Sequence, residues 1–282
     1  MGGRGEGMKK QTSFLFYILL IIFVFVVMFP FLWILCASLK PAIELFGSNA
    51  FTPFTKHPTI ENYVSVFTNY PFLRYLWNSF VVSTITTLYT VFIASFAAYA
   101  IARLEFKGKT FILGLVLSVT MFPQIATLSP IYIFLKNLGL TNSYLGLIIP
   151  YTTITLPLSI WILVTFFRKI PLELEEAAKM DGASIIQTYF RIIFPLAAPG
   201  IFTTSILVFI AAWNEFLFAL TINTEEKFKT VPVGIAMFQG QFTIPWGEIA
   251  AATVIVTVPL VILVLIFQRR IVSGLTSGSV KE

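Results

Sequence analysis

The stretch EEAAKMDGASIIQTYFRIIFP (175–195) is one of the few strongly charged passages in this chain. An uncharged run, Asn137–Phe167, precedes it, and a second, Ile192–Asn214, overlaps its end. Outward from there the same texture repeats. Further runs without a charge cover Gln11–Leu39, Tyr75–Ala102, Thr110–Leu135 and Ile249–Gln268. Each reaches about 20 residues, enough for a helix to cross a hydrocarbon core of about 30 Å. Of the 282 residues, 57% are hydrophobic and 11% charged, where a soluble domain carries about 25% charged residues. Mean hydropathy is +0.87. A transmembrane β-barrel would show short alternating segments instead.

The reading is an all-α polytopic membrane protein. Six transmembrane helices are expected, over roughly 13–37, 77–102, 110–135, 143–167, 198–222 and 249–268. The fifth passes Glu215 and continues toward Thr224. The first run is too long for the apolar core of a signal peptide, and no convincing A-x-A site follows it. ILCAS (34–38) is a poor lipoprotein box, because the large Leu35 precedes Cys36, so the first helix reads as uncleaved.

Orientation follows from the basic residues. An even number of helices puts both termini on one side, and 13 of the 19 Lys and Arg fall on that side, among them Arg103, Arg168, Lys169, Lys179 and Arg191. The positive-inside rule makes that side cytoplasmic. The expected organisation is one transmembrane domain over 1–282, multi-pass in the inner membrane with both termini cytoplasmic. Extracytoplasmic segments fall at 40–76 and 223–247, a cytoplasmic loop at 168–194 and a cytoplasmic tail at 268–282. The net charge of +6 is then topological and does not point to nucleic acid. One Cys and one His exclude an internal disulfide and a Cys/His zinc centre, which needs three or four ligands. His57 reads as a solvated loop residue and Glu248 as a membrane-edge acid in reach of water; neither supports catalysis. The longest cytoplasmic piece leaves no room for a nucleotide-binding or catalytic domain, so neither a catalytic nor a metal-ligating residue is assigned.

Within the loop, Pro171 suits the first turn of a helix, and Glu173, Glu175 and Glu176 suit its positive end. Leu174, Ala177, Ala178 and Asp181 share one face at i, i+3, i+4 and i+7, mostly small, so a partner surface can come close. Gly182 can end that helix at positive φ. Ser184 can cap a second short helix carrying Ile185, Ile186, Tyr189, Phe190 and Ile193. Pro195 and Pro199 break the chain before the fifth span. The result is a helix–turn–helix knob. The competing reading is an amphipathic loop lying on the bilayer, against which its acidic residues weigh, since anionic leaflets attract basic segments.

This loop resembles the EAA motif of permease subunits in binding-protein-dependent ABC importers: E-A-A, three residues, G, nine residues, I-x-L-P. Here it stands as Glu176-Ala177-Ala178, Gly182 and Ile192-Ile193-Phe194-Pro195, with Phe194 in place of the usual Leu. The similarity extends to YAIARLEFKGK (99–109), KNLGLTNSYLGLIIPY (136–151), AAWNEFLFAL (211–220) and the tail QRRIVSGLTSGSVKE (268–282). Together these look like the six-helix sugar permease of the maltose/trehalose type. The resemblance implies a type I importer permease fold, with 168–194 as coupling loop. Its knob would sit in a cleft of a separate ATPase subunit as a ball joint. Glu176 would pair with a basic residue there, Ala177, Ala178 and Gly182 would permit close packing, and Asp181 would hold the turn. Ile192 and Pro195 complete the motif, and the tail after Arg270 would reach the ATPase pair. The implied assembly is a second homologous permease subunit, two ATPase subunits that use ATP and Mg, an extracytoplasmic sugar-binding protein and the surrounding lipid. The chain itself would bind no cofactor. It would form half of the pore for a sugar, a disaccharide such as trehalose or maltose, through alternating access.

The path is less explicit. The second span carries Ser79, Ser83, Thr86, Thr87, Thr90, Ala94, Ala97 and Ala98 at helical spacing, which reads first as close helix packing. Pro123, Pro130, Pro150 and Pro157 read as bends. Glu215 is the one charge well inside an expected span, a functional position by default. With Trp213 and Asn214 it could meet a sugar; equally, it could be a hydrogen-bonded carboxylate that fixes packing. In the loop MFQGQFTIPWG (237–247), Gln239, Gly240 and Gln241 would by resemblance probe the binding protein, or the loop is a plain connector. Among other classes, an ion-coupled secondary transporter would show inverted repeats and several intramembrane ionisable groups, and a membrane enzyme would show a catalytic constellation; the chain shows neither.

Overall fold

The computed structural model describes residues 3–46, 51, 52, 54–238 and 244–276, with side chains over residues 16 to 268 of these. Among the described residues there is no strand. In chain order the helices are α1 (Gly3–Ser38), α2 (Ala42–Phe46), α3 (Glu61–Asn69), α4 (Phe72–Arg103), α5 (Lys109–Ser118), α6 (Gln124–Asn137) and α7 (Tyr144–Phe167). There follow α8 (Glu173–Met180), α9 (Ile185–Thr188), α10 (Phe194–Leu196), α11 (Ala198–Trp213), α12 (Leu217–Ile222), α13 (Val231–Ala236) and α14 (Trp246–Thr276). A π-helical turn, Tyr189–Ile193, joins α9 to α10.

Four helices are long and apolar enough alone to cross a membrane: Phe16–Ser38 within α1, α4, α7 and Trp246–Gln268 within α14. Two bent pairs bring the number to six if each counts as one span. Counted so, the third is Lys109–Met121 followed by Gln124–Asn137, bent by 96°. Its corner is Phe122, held extended at φ −73°, ψ 131°, because the ring of the following Pro123 excludes the helical conformation from the residue before it. Pro130, Pro150 and Pro157 instead sit inside helices. The fifth span differs from the expected 198–222. Ile185–Leu196 and Ala198–Trp213 meet at 75°, with Pro199 just after the corner at Ala197. The helix then stops at Trp213 and restarts at Leu217.

The chain divides into two compact units, 1–71 with 237–257, and 72–236 with 258–282. In the first, Lys40 is buried, its ammonium donating to the Thr52 carbonyl and lying 5.5 Å from the Trp33 ring centroid. The Asn62 amide donates to the carbonyls of Ser38 and Lys40 at 2.9 and 2.8 Å, so α3 is tied to the end of α1. The Tyr70 hydroxyl donates to Glu248 at 2.9 Å. Burial, then that carboxylate, pushes the hydroxyl up to about 12. Glu248 is half-buried and bonded. His57 is exposed, as expected of a loop residue.

In the second unit α4 packs against both α7 and α11, which also touch each other. The small-residue stripe of α4 is what they cover: Ser79, Ser83, Thr86, Thr90, Ala94 and Ala98 are all buried, with Ala97 half-buried. Small side chains let helix backbones approach, which lipid does not otherwise drive. The core has two clusters. One gathers Val82, Leu147, Tyr151, Phe218 and Val233. The other gathers Ala94, Tyr99, Leu163, Phe167, Tyr189 and Ile193, and it supports the charged knob.

Candidate functional site: the charged knob and the broken fifth span

The knob forms as a tight helix–turn–helix. Glu173, Glu175 and Glu176 occupy the first turn of α8, where the helix dipole favours negative charge. Its end is a Schellman turn: the Ala183 N–H reaches the Ala178 carbonyl at 2.9 Å and the Gly182 N–H reaches Lys179 at 3.0 Å, with Gly182 at φ +77°. That geometry needs a left-handed residue, which glycine adopts at least cost. Ser184 then starts α9 with a reciprocal capping box, the Gln187 N–H donating to its Oγ at 3.3 Å and its own N–H to Gln187 Oε1 at 2.8 Å.

The motif residues take unlike positions. Glu176, Ala177, Asp181 and Gly182 are exposed, whereas Ala178 is buried. Ile192 is half-buried, Ile193 buried and Pro195 exposed. Beside the exposed acids stand exposed Leu174, Met180, Ile185 and Ile186. The outer surface of the knob is thus apolar with charges of both signs, Glu173, Glu176 and Asp181 standing exposed with Lys179 and Arg191.

Beneath it lies an arrangement that sequence reasoning missed. Glu175 turns inward with Ala178, one turn along the same face. Its Oε1 lies 2.9 Å from Arg103 Nε, with the two side chains 9% and 4% exposed. Its Oε2 accepts from the Tyr99 hydroxyl at 3.2 Å. Arg103 also donates to the carbonyl of Ile170. Tyr99 packs edge-on against Phe167 and Tyr189, and the Tyr189 hydroxyl donates to Ser95 Oγ at 2.7 Å. Three neighbouring glutamates look alike in sequence. What singles out Glu175 is the Arg103 that closes α4, contained in the YAIAR segment (99–103).

Trp213, Asn214 and Glu215 are brought together at the break in the fifth span. Trp213 is 7% exposed and stacks on Phe209 at 5.6 Å. Asn214 is exposed, and its amide donates to the Ile210 carbonyl at 2.8 Å. Glu215 accepts from the backbone N–H groups of Phe218 and Ala219 at 2.9 and 3.2 Å, so it caps α12. A cavity of about 190 Å³ lies between α7 and α11, walled by Leu158, Ile162, Leu207, Val208 and Ala211. The hydroxyls at its edge, Thr155, Ser159 and Thr204, each donate to a carbonyl of their own helix, so the cavity is apolar in character. Gln239, Gly240 and Gln241 lie outside the described residues. Among the described residues, no group of three His, Cys, Asp or Glu could hold a metal ion.

Comparison with known proteins agrees with this architecture. The chain is 47% identical to the trehalose/maltose transport system permease protein MalG of Thermococcus litoralis, over 99% of each chain. It is 45% identical to the sulfoquinovosyl glycerol transport system permease protein SmoH of Agrobacterium fabrum, over 90% of this chain and 89% of that one. Its fold matches a chain of a bacterial ABC transporter that imports the acidic polysaccharide alginate, with a TM-score of 0.81 at 19% identity, covering 95% of this chain and 98% of that one. Residues 90–277 match the model of the binding-protein-dependent transport system inner membrane component. The knob, the bent spans and this match agree: the chain belongs to the family of inner-membrane components of binding-protein-dependent transport systems, as a non-catalytic permease subunit of an ABC importer.

Proposed function

We propose that this permease forms half of a pore for a glycoside of disaccharide size, trehalose or maltose foremost, and that its knob couples the pore to ATP hydrolysis in a separate subunit. The observation that carries the coupling role is the surface of α8 and α9, where Glu173, Glu176 and Asp181 stand exposed beside Leu174, Met180, Ile185 and Ile186. Glu176 is placed to meet a cation of the ATPase, and exposed Ala177 leaves room for close approach. The positive-inside distribution supports a cytoplasmic position for this knob and for both termini. The assembly comprises a second, related permease, two ATPase subunits using ATP and Mg, and an extracytoplasmic binding protein contacted through Gln239, Gly240 and Gln241. For the substrate path, the exposure of Asn214 supports this residue of the 213–215 break as the one to meet a passing solute.

The sugar assignment rests on the near-complete match to a trehalose/maltose permease. Affinity purification of the chain from native membranes in mild detergent tests the assembly. An ATPase and a second permease should accompany the wild type, and the ATPase should be lost from Glu176→Lys. Recovery of the chain alone, in several detergents, would sink the reading. Uptake of labelled trehalose, maltose and sulfoquinovosyl glycerol by the reconstituted complex then ranks the substrates.

A further inference from the structure

We infer that Glu175, Arg103 and Tyr99 form a buried latch that makes α8 and the end of α4 move as one body, so that these positioning residues, and not the exposed motif face alone, set how much pore movement each displacement of the knob produces. The inference deepens the coupling role proposed above and rests on it.

The geometry is specific. A displacement of α8 reaches the rest of the unit through covalent linkers and through whatever its inward face holds. That face holds Glu175 and Ala178. Alanine gives only contact, which can slide. Glu175 adds an ion pair, one oxygen lying 2.9 Å from Arg103 Nε, and direction through the other, which accepts the Tyr99 hydroxyl at 3.2 Å. Both partners lie on the last turn and a half of α4. The Arg103 guanidinium also donates to Ile170 in the linker before α8, so one cation pins two points of the knob. Tyr99 is wedged against Phe167 at the end of α7 and against Tyr189 in the π turn. The latch therefore joins α8 to α4, the helix that packs on both α7 and α11.

Burial makes the link stiff. In a low-dielectric setting, charges and hydrogen bonds resist separation far more than on a wet surface. A buried acid without its cation is costly, so α8 cannot leave α4 without a penalty. The exposed Glu176 meets no such constraint and is free for an external partner, which explains why adjacent glutamates face opposite ways.

The experiment compares Glu175→Gln and Tyr99→Phe with wild type in the full complex, at matched amounts of assembled transporter. Glu175→Gln keeps the shape and removes the charge; Tyr99→Phe keeps the ring and removes one donor. The first readout is backbone hydrogen exchange over 173–180, expected to rise in Glu175→Gln and less in Tyr99→Phe. The second is labelled trehalose imported per ATP hydrolysed. It should fall by roughly tenfold in Glu175→Gln, within the 5- to 150-fold range typical of coupling energies. Unchanged exchange over α8, or an unchanged transport-to-hydrolysis ratio, overturns the latch. So does failure of both variants to assemble, which would make the triad a folding element only. If wild type hydrolyses ATP but imports no trehalose, the substrate reading fails separately, and the exchange comparison still decides the latch.

Discussion

The carboxylate of Glu215 accepts the backbone N–H of Phe218, Oε1 to N at 2.9 Å. Its second oxygen takes the N–H of Ala219. An acid that by position suggests a path for solute thus serves the first turn of α12, whose amides would otherwise lack acceptors. Replacing such a cap by alanine typically costs about 1 kcal/mol. Glu215→Ala should therefore lower the thermal midpoint of the detergent-purified chain, monitored by tryptophan fluorescence, and Glu215→Gln should lower it less. Equal midpoints in all three proteins would refute the capping role.

Removing Arg103 strands a buried carboxylate. Arg103→Ala should destabilise the chain by about 3–5 kcal/mol, the usual cost of breaking one side of a buried pair. The double variant with Glu175→Ala should recover part of that loss, since no orphaned charge remains. A double-mutant cycle on denaturation midpoints measures the difference. Strict additivity of the two losses would show that the pair does not interact.

Two glycines invite opposite outcomes. A Cβ on Gly234 would lie 2.3 Å from Tyr75 Cδ2, and the Tyr75 hydroxyl is itself held by Glu226, so the ring has little freedom to yield. Gly234→Ala should cost about 1–3 kcal/mol through overpacking. At Gly114, inside α5, a Cβ meets nothing within 4 Å. Gly114→Ala should raise the midpoint slightly, because alanine is favoured over glycine in a helix by about 1 kcal/mol. A loss at Gly114 in the isolated chain would contradict this.

At Gly182 a side chain would also meet open space, yet φ is +77°. The penalty there is backbone strain alone, roughly 1–2 kcal/mol for a residue with a Cβ in the left-handed region. Gly182→Ala should show it, and Gly182→Asn should show less, since asparagine visits that region more readily. Identical midpoints for Ala and Asn would argue that the turn rearranges.

Sequence alone reveals elements whose cause is local. α7 is expected over 143–167 and spans Tyr144–Phe167, with Ser143 accepting the Gly146 N–H as its cap. The Gly182 turn and the Ser184 cap are likewise spelled out by neighbours a few residues apart. Ends set by tertiary packing are not. α4 starts at Phe72 rather than at 77, and its added first turn is buried at Phe72 and Tyr75. The stop at Trp213 leaves no hydropathy signature, since Asn214 and Glu215 are flanked by apolar residues on both sides. The division of labour between Glu175 and Glu176 depends on Arg103, far away in the chain, and a long-range pairing of this kind carries no periodicity to read.

The π turn at Tyr189–Ile193 has a genealogical consequence. A wide turn of this kind holds one residue more than an α-helix needs, and the helix on its far side keeps its facing. Losing one residue there would tighten the turn and leave the later helices oriented as they are. The same loss within α11 would swing every later side chain by about 100° around the axis. The motif's count of nine residues between Gly182 and Ile192 runs through this turn, so relatives that keep the count should keep the wide turn, and gaps in aligned descendants should avoid it as they avoid α11.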